Sequence, residues 1–138
     1  MNESGVWQYL RKNLSAHAHL TRIESSAGNG VPDVSIGIPG KNVWMELKYV
    51  REWPKRITTK VKLPLRNEQK LWIKVRGHLS GDVWVLIRIE NSFFLLDWEQ
   101  VIEACNGWVL FEWIDKSTKN WDGKIDFDEL ISTLNNGG

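Results

Sequence analysis

Two strands and the turn between them decide the fold of this chain, and residues 30–50 encode them: GVPDVSIGIPGKNVWMELKYV. Apolar residues alternate with other residues along 31–38 and again along 43–50, a pattern typical of strands with one buried face. Between them lies Pro39-Gly40-Lys41-Asn42, which is typical of a turn. The stretch therefore predicts a β-hairpin with strands Val31–Ile38 and Val43–Val50.

Alternation places the side chains of this hairpin on two faces of a sheet. One face is uniformly apolar and is predicted to be buried; its members are Val34, Ile36, Ile38, Val43, Met45 and Leu47. With the turn at residues 39–42, the expected cross-strand pairs on the other face are Asp33–Lys48, Ser35–Glu46 and Gly37–Trp44. That second face therefore gathers two carboxylates and one ammonium group.

Two carboxylates on neighbouring strands offer the oxygen ligands that a hard divalent cation such as Mg²⁺ prefers. Lys48 points to the same place and could orient or deprotonate a metal-bound water, or stabilise charge on a phosphate. The residues alone leave a second interpretation open, in which Lys48 makes a cross-strand salt bridge with Asp33 or Glu46 on a solvated face.

The order of these residues resembles the signature of the PD-(D/E)XK nuclease superfamily. Pro32-Asp33 is followed, after twelve residues, by Glu46-Leu47-Lys48, and the segment Asn67-Glu68-Gln69-Lys70-Leu71-Trp72 then reads as a helix. The similarity is above all to the virus-type replication–repair nucleases (VRR-NUC) and the small Holliday-junction resolvases, over about residues 1–97. It implies an α/β, restriction-endonuclease-like fold, with a mixed central sheet flanked by helices.

The resemblance also implies roles for individual residues. Asp33 and Glu46 match the metal-binding acids, helped by the carbonyl of Leu47, and Lys48 matches the catalytic lysine. Gln69 matches a glutamine that several branches of the superfamily place beside the active site.

The family often adds an acid from the first helix to the metal site. Glu3 is the only acid available there, and Glu24 is a second candidate. The implied activity is a Mg²⁺-dependent endonuclease, with Mn²⁺ as a substitute, that hydrolyses phosphodiester bonds of DNA. No sequence-reading module is visible, which favours a structure-selective enzyme acting on branched DNA, of viral or phage origin. The alternatives are a sequence-specific restriction-type endonuclease that uses its tail for recognition, and a non-catalytic DNA-binding member of the fold.

Charge is distributed unevenly along a chain whose formal net charge is only +1. Residues 48–76 carry a net charge of +8, and residues 90–138 carry −7. A polyanion prefers the basic middle, although a solvated basic surface would give the same count. The predicted DNA contacts are Arg22, Arg51, Trp53, Lys55, Arg56, Lys60 and Lys62. For Trp53, packing of its loop back onto the domain is an equal alternative.

Length and composition predict one soluble domain over residues 1–138, with a core of about 1–97 and an extension of 98–138. The single Cys105 excludes an intramolecular disulfide and a cysteine zinc cluster, and is predicted to be buried. With no signal peptide and no apolar run near ~18 residues, we expect no membrane partner and a cytoplasmic protein, in the host cytoplasm if viral.

Outside the hairpin, the pattern predicts helices at 3–14, 67–76 (with Asn67 as N-cap), 98–105 and 126–134, and strands at 19–25, 83–89 and 93–97, with 107–114 extended. Residues 118–129 resemble an EF-hand loop. The alternative is a turn followed by a helix that Asp126 caps, with Glu129 three residues on.

Nine Trp in 138 residues exceed what a core of this size readily absorbs, and aromatic residues are enriched at interfaces. Trp108, Phe111 and Trp113 on a predicted strand are candidates for such an interface or for core. One chain offers one candidate site, whereas resolving a junction requires two cuts. The sequence therefore predicts a two-fold symmetric homodimer.

Overall fold

The computed structural model describes residues 2–23 and 30–137, which form a six-stranded mixed sheet flanked by five helices. The strands follow one another across the sheet in chain order: β1 (His19–Arg22), β2 (Val34–Ile38), β3 (Lys41–Val50), β4 (Val83–Ile89), β5 (Ser92–Asp97) and β6 (Lys119–Asp122). The helices are α1 (Glu3–Leu14), α2 (Asn67–Ser80), α3 (Trp98–Asn106), α4 (Leu110–Lys116) and α5 (Phe127–Asn136). The predicted α/β class, with a mixed central sheet flanked by helices, is confirmed.

β3 and β4 form the parallel pair of the sheet, and the other neighbouring strands are antiparallel. A parallel pair requires a crossover connection, because the second strand must start at the same edge as the first. Residues 51–82 make this crossover, and α2 lies within it. The start of α2 therefore returns to the carboxyl-terminal half of β3, where the predicted site lies.

Each face of the sheet is covered by its own apolar cluster. On one face, α1 and α5 pack on the apolar residues of the hairpin, and all six of the residues predicted to be buried there are buried. On the other face, residues of α2, α3 and α4 pack on β4 and β5. The division of the hairpin into two faces is thus as predicted.

The turn of the hairpin is shorter than predicted, and this shifts the strand register. It consists of Pro39 and Gly40, where the φ of +85° at Gly40 and the Pro before it are typical of a type II turn. β3 therefore begins at Lys41, and Trp44 lies opposite Ser35 instead of Gly37. The predicted pairs were wrong by two residues. Such an even shift changes partners but leaves every side chain on its face.

Two further predictions about secondary structure were wrong. Residues 110–116 form α4 instead of a strand, and the Glu112 side chain accepts a hydrogen bond from the Val109 N–H at 3.0 Å to cap it. The N-cap of α2 is Arg66, not Asn67. The strand β6 was not predicted at all, and β1 and β2 are shorter than expected.

The capped-helix interpretation of the C-terminal segment is confirmed. Asp126 accepts a hydrogen bond from the Glu129 N–H at 3.1 Å, and α5 begins at the next residue. Residues 119–122 pair with β5. Cys105 is buried, as predicted. No described helix is long and apolar enough to cross a membrane.

The nine Trp residues all find places within the domain. Trp84, Trp108, Trp113 and Trp121 are buried, and the other five are half-buried. Phe111 is exposed, but on α4 and not on a strand. Of the two alternatives for this C-terminal segment, interface or core, the core alternative therefore describes Trp108 and Trp113.

Candidate active site

The two predicted carboxylates lie side by side where β2 begins. Asp33 directly precedes β2, and the register places it next to Glu46 on β3. The Asp33 N–H donates a hydrogen bond to Glu46 Oε1 at 3.2 Å, and Asp33 Oδ2 accepts one from the Leu47 N–H at 3.0 Å. Each carboxylate is thus held by the backbone of the other strand.

A close backbone contact fixes the chain just before Asp33. Gly30 has a φ of +82°, and a Cβ at this position would lie 2.2 Å from the carbonyl oxygen of Glu68. Only glycine fits a positive φ and so short an approach. The loop that carries Pro32-Asp33 is therefore packed against the first turn of α2.

Gln69, in that first turn of α2, is the link between the helix and the carboxylates. Its Nε2 donates to Glu46 Oε2 at 2.8 Å, and its Oε1 accepts from the Arg66 N–H at 2.9 Å. Because both ends of the buried amide are engaged, its orientation is set, and so is that of the Glu46 carboxylate. Gln69 therefore lies beside the acids, as the sequence predicted.

Lys48 completes the cluster. Its Nζ lies 3.5 Å from Glu46 Oε2 and 3.9 Å from Glu3 Oε1. The salt bridge with Glu46 exists, but it joins two residues of one strand, and both are buried. The alternative of a salt bridge with Glu46 therefore holds for the partner, but not for the solvated, cross-strand geometry. Glu3, at the start of α1, is half exposed and approaches Lys48 instead of the two carboxylates.

Burial dominates the electrostatics of the site. It raises the pKa of Glu46 to about 8, helped by the negative charge of Asp33 and opposed by Lys48. A carboxylate with 1% exposure beside a second carboxylate resists ionisation until positive charge is brought near. Within the described residues, no three His, Cys, Asp or Glu side chains cluster as metal ligands. The oxygen donors brought together are those of Asp33 and Glu46, and Leu47 adjoins them because its N–H donates to Asp33.

The sequence did not reveal an aromatic and cationic cluster beside these acids. Trp44 lies on the Glu46 face of β3, and Trp72 and Arg76 follow Gln69 at helical spacing on α2. The centroids of the Trp44 and Trp72 rings are 5.3 Å apart, and the Arg76 guanidinium lies over both rings. The spacing from Gln69 was the available signal, but the strand that α2 covers was not known.

The basic segment, residues 51–66, is tied to the domain instead of forming a free excursion. Val61 exchanges two backbone hydrogen bonds with Trp108, at 2.8 and 3.0 Å, and the Leu63 N–H donates to the Ala104 carbonyl at 2.9 Å. The five predicted contact cations within it are exposed: Arg51, Lys55, Arg56, Lys60 and Lys62. The segment therefore presents a positive surface on a fixed backbone.

Three other predicted site residues lie elsewhere or outside the described residues. Trp53 is half-buried, with its ring 5.8 Å from the Phe94 ring, so the packing alternative describes it. Arg22 pairs with Val34 on the core face, opposite the face of Glu46, and lies over the Trp7 ring at 5.4 Å. Glu24 falls outside the described residues.

Comparison with known proteins gives similarity at the level of structure. No protein-family model matches the chain, and no curated protein matches it significantly in sequence. Among solved structures, it is similar to Hjc of Archaeoglobus fulgidus, a Holliday junction resolvase from an archaeal hyperthermophile, with 14% identity and a TM-score of 0.49. The match covers 83% of this chain and 95% of that one, and it concerns the fold alone.

The raised pKa of Glu46 makes a prediction about stability. Its folded-state pKa, about 8, exceeds the ordinary value of 4.5. The protonated form therefore stabilises the fold at low pH, and this stabilisation is lost as the pH rises through about 8. Glu46→Gln removes this titration. In EDTA, we expect the difference in unfolding free energy between the variant and the parent to increase in favour of the variant as the pH rises. The increase should be about 1–3 kcal/mol between about pH 5 and pH 9. Urea unfolding at several pH values measures the gap, and a gap independent of pH would contradict the raised pKa.

Proposed function

We propose that this chain is a divalent-metal-dependent nuclease that hydrolyses DNA phosphodiester bonds and selects branched DNA. One observation carries the proposal: Asp33 and Glu46 share a hydrogen bond at the end of a strand pair, with Lys48 and Gln69 both within reach of Glu46. Four polar groups converge at one point, and three of them, Glu46, Lys48 and Gln69, are buried. A purely structural role does not require two acids there, because burial makes the charge of Glu46 costly.

The donor set fits Mg²⁺, with Mn²⁺ as a substitute. Mg²⁺ is usually held by one or two carboxylates and keeps several waters. Asp33, Glu46 and the Leu47 carbonyl would hold it. When bound, the cation would stabilise charge on the scissile phosphate and lower the pKa of a coordinated water.

Lys48, Gln69 and Glu3 have separate roles in the proposed reaction. The Lys48 ammonium lies 3.5 Å from Glu46, and from there it would orient the attacking water or neutralise charge that develops on the phosphate. Gln69 keeps the Glu46 carboxylate in one orientation through its own fixed amide. Glu3 adds a second carboxylate oxygen, 3.9 Å from the Lys48 ammonium.

DNA would approach over β1 and β2, on the face that carries Glu46. Along this face the rows of opposed residues are Thr21, Ser35 and Trp44, then His19, Gly37 and Asn42. Among them His19, Thr21 and Asn42 are exposed, and the rest are half-buried. The basic segment begins where β3 ends, so its exposed cations extend this surface and contribute affinity for phosphates that is independent of base sequence.

A sequence-reading role for the C-terminal extension receives less support. β6 forms the sheet edge opposite β1, and α5 contributes Leu130 and Leu134 to the core on the α1 face. Neither element lies over β1 and β2 on the side of Glu46. α3 and α4 also belong to the extension and lie on the Glu46 side, but they pack on β4 and β5. Because none of these elements lies over β1 and β2 on that side, we infer that the extension serves the domain's own packing, which favours recognition of DNA shape.

Cleavage should require a divalent cation and both acids. We expect Mg²⁺ or Mn²⁺ to support cutting of a four-way junction or a flap, and Ca²⁺ to support binding with little cutting. Asp33→Asn and Glu46→Gln should abolish cutting while both variants stay folded by circular dichroism. A gel assay on a junction, a flap, a duplex and a single strand measures this. Full activity in EDTA, or in either variant, would refute the mechanism.

Lys48→Ala should slow the chemical step about a hundredfold, the scale lost with a positioned electrostatic or acid–base group. DNA affinity should change far less, because the exposed cations of the basic segment remain. Single-turnover cleavage at saturating enzyme separates the two effects, and Lys74→Ala is the control because Lys74 is an exposed cation of α2. A Lys48→Ala variant that cuts at the parental rate would reduce Lys48 to a salt-bridge partner.

We further propose a homodimer, formed through the outer face of α2. Leu71, Val75 and Leu79 recur every four residues and form an exposed stripe, 63%, 51% and 78% accessible. Such spacing gives one helical face. A second copy is the occupant that the activity requires, since one site cuts one strand and a junction needs two symmetric cuts.

Sedimentation equilibrium should report twice the monomer mass of 16.0 kDa. Val75→Glu should return the protein to the monomer, because it places a charge in the middle of the stripe. Ile57→Glu is the matched control, an exposed apolar residue of the basic segment outside the stripe. A parent that is monomeric both free and on a junction would favour a nuclease that cuts one strand at a time.

A further inference from the structure

Two tryptophans and an arginine form a stacked cluster next to the carboxylates. The Trp44 and Trp72 rings meet edge to face, with centroids 5.3 Å apart and planes at 66°. The carbon at the centre of the Arg76 guanidinium lies 4.5 Å from the Trp72 ring centroid and 5.6 Å from that of Trp44. All three residues are half-buried, so the cluster keeps part of its surface open to solvent.

The position of the cluster relative to the site is set by one strand and one helix. Trp44 precedes Glu46 by two residues on β3, which places it on the same face and about 7 Å along the strand. Trp72 follows Gln69 by three residues, and the Gln69 amide holds Glu46. The cluster therefore stands within about one nucleotide of the carboxylates.

The guanidinium of Arg76 has N–H donors without a protein acceptor among the described residues, and it also has a planar face. In the ranges 2–23 and 30–137, no carboxylate pairs with its guanidinium and no protein acceptor takes a hydrogen bond from it. A guanidinium stacked on indole rings can still offer N–H groups to phosphate and its outer plane to a base. Fastening α2 to the sheet does not require these properties, since Ile73 already packs in the apolar cluster that covers β4 and β5.

We propose, on the basis of the nuclease function above, that this cluster binds an unpaired nucleotide next to the scissile phosphate. The base stacks on Trp72 and Arg76, and the guanidinium N–H groups contact the phosphate of the same strand. Inside a continuous duplex, both faces of each base are already covered by its neighbours. The cluster is accessible only to an unpaired or terminal base, so it selects branch points and flaps over plain duplex.

Binding by two matched DNA molecules tests the proposal. Fluorescence anisotropy in EDTA compares a labelled flap that carries unpaired nucleotides with a continuous duplex of equal length. Arg76→Lys keeps the charge but loses the plane, and Trp72→Leu keeps an apolar side chain without an aromatic face. Each should weaken flap binding about tenfold and duplex binding less than about twofold. Lys74→Ala is the control on the same helix, and it should weaken flap binding and duplex binding by the same factor.

A second test changes the DNA instead of the protein, so its result does not depend on whether a variant folds. Abasic residues at the unpaired positions remove the bases and keep the phosphates, so the parent should lose about tenfold in affinity for the flap. Arg76→Lys should then add no further loss, because both changes remove one interaction. Equal losses on flap and duplex, or losses that multiply, would overturn the inference. Selective flap binding without any Mg²⁺-dependent cutting would overturn only the proposed nuclease function, and cutting without this selectivity would overturn only the inference.

Discussion

The site depends on one constraint, the burial of the Glu46 carboxylate where the β2–β3 ladder ends. Pro32 has no N–H to continue the ladder, so the chain leaves β2 there and Asp33 turns its own N–H to Glu46. The crossover then brings Gln69 to the other carboxylate oxygen. Two strands and a helix thus converge on one side chain, and the positions of Asp33, Gln69 and Lys48 follow from it.

Such a centre opposes the stability of the domain that holds it. Burial and the neighbouring Asp33 disfavour the ionised form of Glu46, and its pKa is correspondingly raised. Lys48 compensates in part, because its ammonium lies 3.5 Å from the carboxylate. Groups that are costly to bury and are still held together by several hydrogen bonds are typical of functional sites. We therefore interpret these residues as a functional site and not as a structural element of the core.

Much of this arrangement follows from local pattern, and the rest follows from distant contacts. The period-two alternation of residues 34–47 predicted both faces of the hairpin, and with them the shared face of Glu46 and Lys48. The register was wrong because Pro39-Gly40 alone closes the turn. Residues 107–114 were expected to be extended because they are apolar and aromatic, but the Glu112 cap makes most of them helical. Trp72 and Arg76 could not be placed, since only the crossover decides which strand α2 covers.

The anchored course of the basic segment affects how the protein would find its substrate. A disordered basic arm loses conformational entropy when it lies down on a phosphate backbone, and that loss is subtracted from the affinity. Here the backbone hydrogen bonds between Val61 and Trp108, and from Leu63 to Ala104, order the chain before any encounter. In the proposed function, the cations would therefore act as a fixed field that steers a polyanion toward the face of Glu46. Capture would then depend on collision rate and ionic strength instead of on folding upon contact.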